Sequence, residues 1–125
     1  MSLRNPLARA KGLGSAKDGT SHWWYQRLTA IALLLLSPWF VILMVGLIGD
    51  DQDTVRAVLA QPLTAALMTA FVLSLLWHAR LGLQVVIEDY VHGGAELLLQ
   101  VIVKFVFAIA AIASLLAIGR IVFTA

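Results

Sequence analysis

Three apolar runs, each long enough to cross a lipid bilayer, occupy most of this chain and leave little room for any other fold. They cover residues 28–48, 63–87 and 97–122. A hydrocarbon core of about 30 Å needs about 20 such residues as helix. The first run is broken only by Thr29 and the Ser37-Pro38 pair, where the proline predicts a kink. The second follows Pro62, a favoured first residue of a helix, and gives way to Gly93-Gly94. The third carries Lys104, Ser114 and Arg120 as its charged or hydroxyl residues. Composition agrees: of 125 residues, 61% are hydrophobic and 13% charged, against about 45–50% and about 25% in soluble domains. So small a protein has too little interior to hide that apolar surface from water. The expected fold is an all-α integral membrane protein. A tail over 1–26 precedes three transmembrane helices, about 27–48, 63–90 and 96–122, in an up-down-up bundle.

Several chemistries are excluded at once. The chain has no cysteine, hence no disulfide, thiolate metal site or cysteine nucleophile. A net charge of +2, with scattered cations, does not suit nucleic acid. The polar stretch before the first apolar run is too long for a secretory signal. Arg4, Arg9, Lys11, Lys17 and Arg27 gather at or before the first helix, whereas the 49–62 loop sets Arg56 against Asp50, Asp51 and Asp53. The positive-inside rule therefore expects a cytoplasmic N-terminus, or a matrix one in an organelle. The absence of a long transit peptide favours a bacterial plasma membrane. Within the tail, the glycines of "KGLGSAKDGTSHWWYQR" predict an irregular strand lying over a partner or the headgroups. His22-Trp23-Trp24-Tyr25 reads first as an interfacial aromatic belt. Residues 53–60 suit a short interfacial helix.

Polar groups crowd the end of the second helix, "WHARLGLQVVIEDYVHGG", residues 77–94. On a straight helix turning about 100° per residue, Gly82, Val85 and Asp89 fall within roughly 40° of His78, while Arg80 lies roughly 200° away. Asp89 and Tyr90 stand about 16–18 Å further along the axis. His78 is thus deep in hydrocarbon, and Asp89-Tyr90 at the membrane edge. A histidine there either bonds a neighbouring helix or serves a function, and neutral imidazole is a good axial ligand for haem iron. Gly82, one turn along, would leave room for a flat macrocycle. His22 and His92 both read as interfacial, so a second axial ligand would come from another subunit. Arg80 could pair with a partner's carboxylate, snorkel to water, or counter a haem propionate. Asp89 and Tyr90 could be ordinary helix-end residues. Together with His92 they also offer a phenol donor and a proton route, which a quinone head group requires.

The pattern H-x3-G-x6-DYVHG, formed by His78, Gly82, Asp89, Tyr90, Val91, His92 and Gly93, resembles the hydrophobic membrane anchors of succinate dehydrogenase, respiratory complex II. The tail "GSAKDGTSHWWYQRLTAIAL" looks like that of alphaproteobacterial members, so the resemblance covers nearly the whole chain. It implies a four-subunit assembly: a flavoprotein subunit, an iron–sulfur subunit, and two anchors that share haem b and complete a ubiquinone-reduction site. By position it implies that His78 is the axial haem ligand, binding the iron as this chain's metal ligand. It likewise implies that Arg27 lies near the haem propionates, that Tyr90 hydrogen-bonds a ubiquinone carbonyl, and that Asp89 neighbours the quinone pocket. Arg80 is outside the family pattern. This chain alone cannot oxidise succinate, having no flavin fold, cluster cysteines or soluble domain. Two other readings stand beside it. One is the anchor of a quinol:fumarate reductase; the other is a non-redox structural membrane subunit with His78 and Arg80 as interhelical glue.

Overall fold

The computed structural model describes residues 6–124, with side chains from residue 20 onward. Four helices follow in order: α1 (Pro6–Gly46), α2 (Gln52–Ala60), α3 (Pro62–Tyr90) and α4 (Gly94–Thr124). Three of them are long and apolar enough to cross a membrane, over Thr20–Gly46, Pro62–Tyr90 and Gly94–Thr124. Among the described residues there is no strand. At 1.5 Å per residue, α3 and α4 span about 43 and about 46 Å, which exceeds the hydrocarbon thickness and leaves both ends in the headgroup region.

The expectation of an irregular tail is corrected. Helix α1 begins at Pro6 and runs unbroken to Gly46, so the described part of the tail is helical despite Gly12, Gly14 and Gly19. Each glycine disfavours helix by about 1 kcal/mol relative to alanine. Propagation from an established helix nevertheless avoids the nucleation step that an isolated segment would face. Residues 1–5 lie outside the described residues. Of the cations used to infer orientation, Arg4 falls among them, and the side chains of Arg9, Lys11 and Lys17 are likewise outside. Helix α1 also continues through Pro38, although the ring denies the Leu34 carbonyl its helical donor.

The expected interfacial helix is α2. Asp51 caps it, its Oδ1 accepting from the Thr54 amide at 2.9 Å, and the acidic Asp53 in the first turn suits the positive end of the helix dipole. Gln61 then serves twice, closing α2 with its amide on the Val58 carbonyl and opening α3 through its carbonyl to the Ala65 amide. Its extended backbone, φ −60° and ψ 134°, makes the corner, and Pro62 follows where a missing N–H does no harm. At the other end of α3 the turn to α4 passes through Gly93 at φ 77°, a left-handed conformation that glycine adopts without strain.

Helix α3 is the middle of the bundle. Both α1 and α4 pack along it, and among the described residues their backbones stay apart from each other. The buried apolar residues, Ala65, Phe71, Leu81 and Ile87, all belong to α3. Elsewhere large apolar side chains face outward, from Leu34 at 72% exposed to Leu116 at 69%. In water that surface would be untenable; lipid is its solvent. The bundle is up-down-up.

Candidate functional site

The α1–α3 seam is fastened at three levels. Phe40 stacks on Phe71, centroids 4.5 Å apart. Nearer the other end, Tyr25 stacks on Trp77 at 5.0 Å. Adjacent to that stack, Thr29 Oγ1 meets His78 Nδ1 at 3.0 Å. Thr29 is the buried polar residue of the described chain, 9% exposed.

This hydrogen bond orients the imidazole against α1. The Thr29 hydroxyl reaches its own helix at the Tyr25 carbonyl, 2.8 Å, and the Gln26 carbonyl, 3.1 Å. A hydroxyl has one proton to give and two lone pairs to offer. With the proton on the Tyr25 carbonyl, the oxygen can only accept from the ring. In that arrangement the ring proton is on Nδ1 and Nε2 keeps its lone pair; with the hydroxyl donating to Nδ1 instead, the order reverses. Histidines that bind metals are commonly oriented in this way, the far N–H held by a neighbouring oxygen.

His78 lines a cavity of about 490 Å³ together with His22, Trp23, Gln26, Arg27 and Ala30, all from α1. Two buried polar atoms there lack any hydrogen-bond partner, His22 Nε2 and Gln26 Oε1. Buried polar groups rarely stay unsatisfied in a native protein, so these two atoms call for a partner from outside this chain. Arg27 stands at the rim with its guanidinium 5.4 Å from the Trp23 ring centroid. The donor set is an imidazole lone pair in the interior and a cation with further polar groups nearer the edge. It fits a haem, which asks one nitrogen for its iron and cations or donors for its carboxylates. Among the described residues no three metal-ligating side chains converge.

His78 and Arg27 are thus brought to one cavity, and Asp89 and Tyr90 are not. The latter are the last two residues of α3, both exposed, Tyr90 at 81%. His92 is exposed in the turn beyond. Beside them Gln84 donates to Glu88 Oε1 at 3.0 Å. A Cβ added to Gly82 would meet nothing within 4 Å, so no packing inside this chain explains the glycine. His22, Gln26 and Thr29 are site residues that sequence reasoning missed. They stand at helical spacing on one face of α1, a signal visible only once the helix is extended back past residue 22.

A family model for the succinate dehydrogenase/fumarate reductase transmembrane subunit matches residues 1–117. The succinate dehydrogenase hydrophobic membrane anchor subunit of Paracoccus denitrificans is 34% identical over 117 residues, 91% of either chain. The corresponding subunit of Rickettsia bellii is 39% identical over 89 residues, 71% of either chain. A succinate dehydrogenase membrane anchor subunit of Reclinomonas americana is 35% identical over 96 residues, 74% of this chain and 80% of its own. With three membrane-length helices and a match along nearly its whole length, the chain belongs to the succinate dehydrogenase/fumarate reductase transmembrane subunits, among the hydrophobic membrane anchors of succinate dehydrogenase.

Proposed function

We propose that this chain, beyond anchoring the complex, holds haem b jointly with a second anchor subunit and forms part of the site where ubiquinone is reduced. The observation that carries the reading is the Thr29–His78 hydrogen bond, which holds an intramembrane histidine by Nδ1 beside a cavity with two orphaned polar atoms. Haem b, when bound, supplies one-electron redox chemistry. His78 offers one axial nitrogen, and the second comes from the other anchor. Arg27 and His22 lie nearer the membrane edge, where a cation and a hydrogen-bonding imidazole suit the propionates. At the helix end, Tyr90 donates its phenolic O–H to a quinone carbonyl oxygen, and Asp89 beside it lies between the quinone pocket and water. Their exposure in the isolated chain fits a pocket completed by neighbouring subunits.

In this reading electrons arrive from an iron–sulfur subunit, itself supplied by a flavoprotein subunit that oxidises succinate. The relatives bear the name of succinate dehydrogenase, which favours quinone reduction over the fumarate-reducing direction. The N-terminus lies in the cytoplasm of a bacterium, with the chain in the plasma membrane. The test is His78→Ala in the assembled complex. Loss of the b-type band from the reduced-minus-oxidised spectrum is expected, and an unchanged spectrum at normal subunit content would sink the assignment.

A further inference from the structure

Between α1 and α4, whose backbones stay apart while both pack on α3, runs a groove of about 520 Å³. Its polarity changes along its length. Arg80 and Lys104 line it at one level, Arg80 ten residues before the end of α3 and Lys104 ten residues after the start of α4. Below them the walls are mainly apolar, with Trp77 and Phe107 leading to Leu73 and Ala111, which lie seven residues deeper than the cations, about 10 Å. Centred in a hydrocarbon layer of about 30 Å, α3 and α4 overhang it by about 7 Å at each end. The cations stand about 15 Å from the end of the bundle and so enter the hydrocarbon by only about 8 Å. A long basic side chain can still reach the headgroup region from there. Positive charge just below one membrane surface, followed by apolar walls toward the midplane, matches the order of parts in an anionic phospholipid.

The two side chains approach that surface differently. The Cα–Cβ bonds of a helix tilt toward its N-terminus, which is the near end for α4 and the far end for α3. Lys104 therefore leans toward the headgroups and Arg80 inward, so an anion shared by both sits in the mouth of the groove. Neither cation has an ion pair among the described residues. The nearest acids along the two helices, Glu88 and Glu96, are each eight residues, about 12 Å, closer to the end of the bundle. Intramembrane cations are costly without a counterion, and the planar donor fork of arginine suits a phosphate. A neutral quinone head supplies no such charge. On α3, Leu73, Leu76, Trp77 and Arg80 fall on the half of the helix opposite His78. The groove thus opens away from the cavity that a second anchor would complete, and faces lipid.

We propose that this groove binds one anionic phospholipid from the leaflet at the Tyr90 end of the bundle. Arg80 and Lys104 hold its phosphate, and an acyl chain lies along Trp77, Phe107, Leu73 and Ala111. Only the assignment of the groove to the lipid-facing side rests on the haem reading; its charges and its shape do not.

Photolysis of the intact complex in phosphatidylcholine nanodiscs, with a trace of phosphatidylglycerol bearing a diazirine on one acyl chain, tests it. Adducts are expected within residues 73–77 or 107–111 of this chain. The same label carried by phosphatidylcholine should give at least about tenfold fewer there, because each basic residue near a membrane surface is worth about fivefold toward an anionic lipid. Arg80→Gln and Lys104→Gln should each lower the phosphatidylglycerol adducts about fivefold, and Arg80→Lys should retain them. Equal labelling by the two probes overturns the site, as do adducts confined to other segments or adducts that neither Gln substitution lowers. Displacement of the probe by excess inorganic phosphate would mean an open anion site and also overturns it. The comparison of the two probes needs no substitution, so it decides the matter even where a variant fails to assemble. A complex that keeps its His78-dependent b band but labels equally with both probes rejects the lipid site and leaves the haem reading standing.

Discussion

Thr29 Oγ1 lies 3.0 Å from His78 Nδ1, a hydrogen bond between residues 49 positions apart that ties the first membrane helix to the central one. It has two consequences from one geometry. It pins the imidazole against α1, and, with the threonine proton on its own helix, it puts the ring proton on Nδ1 and leaves the Nε2 lone pair for a ligand. A threonine that spends its proton on its own helix is thereby an acceptor, and the ring must be the donor.

Thr29→Val removes the acceptor while keeping the shape. The His78 Nδ1–H then loses its buried partner, and the ring is no longer held in one orientation. Outer-shell partners of metal-bound histidines are worth roughly 10- to 100-fold in metal affinity. Thr29→Val should therefore reduce the haem content of the purified complex, and the haem that remains should have a shifted midpoint potential. Thr29→Ser, which restores the hydroxyl, should return both to normal. Equal behaviour of the Val and Ser variants would count against an orienting hydrogen bond.

The three membrane helices were legible because lipid imposes a minimum apolar length, and composition alone reveals it. The short α2 was legible too, as a segment between membrane spans that suits a short helix. His78 stood out because a titratable group in an apolar run has few explanations. His22, Gln26 and Thr29 did not, and the reason is local. Gly12, Gly14 and Gly19 argue for an irregular tail, and without a helix there is no common face for these side chains to share. The three-dimensional structure restores that face by carrying α1 back to Pro6. His22, read as part of an interfacial belt, then turns out to line the same cavity as His78.

Tyr90→Phe should separate the two halves of the enzyme's activity. The phenol is exposed at the end of α3, distant from the haem-side cavity, so its loss should not disturb assembly or the b-type spectrum. A hydrogen bond to a quinone carbonyl is worth about 1–3 kcal/mol, which is roughly 5- to 150-fold in rate. Succinate–quinone activity should fall by that factor while succinate oxidation by a soluble dye is retained. Parallel loss in both assays would mean that the residue acts through assembly.

Phe71→Ala should behave in the opposite way. Phe71 is buried and stacks on Phe40 with an interplanar angle of 14°, in the half of the bundle away from the Thr29–His78 hydrogen bond. Lipid tails are as apolar as the ring and fill much of the space that truncation opens. The specific stacking energy, about 0.5–1.5 kcal/mol, should therefore dominate. A double-mutant cycle with Phe40→Ala, read by detergent or thermal unfolding, should return a coupling in that range. Haem content should be unchanged. Additive effects of the two substitutions would show that the rings are neighbours without being partners.

Acid should loosen α2 before it reaches the rest of the chain. Thr54 holds the Asp51 carboxyl below its ordinary pKa through hydrogen bonds, the side-chain bond first and the backbone amide second. A carboxylate whose pKa is lowered by folding binds fewer protons folded than unfolded, so its contribution is fully present above the ordinary aspartate value. It is lost as pH falls through the lowered value. The window therefore opens below about pH 4. Because Asp51 is fully exposed, the change should be confined to the helix it caps. Amide exchange across α2 should be slow near neutral pH and accelerate below that point. Asn caps a helix about as well as Asp but carries no titrating group, so Asp51→Asn should keep its protection through the same range. Asp51→Ala should lack protection at either pH. Protection in the unsubstituted chain that does not change on acidification would mean that packing on α3 and α4, rather than the Asp51 cap, holds α2 in place.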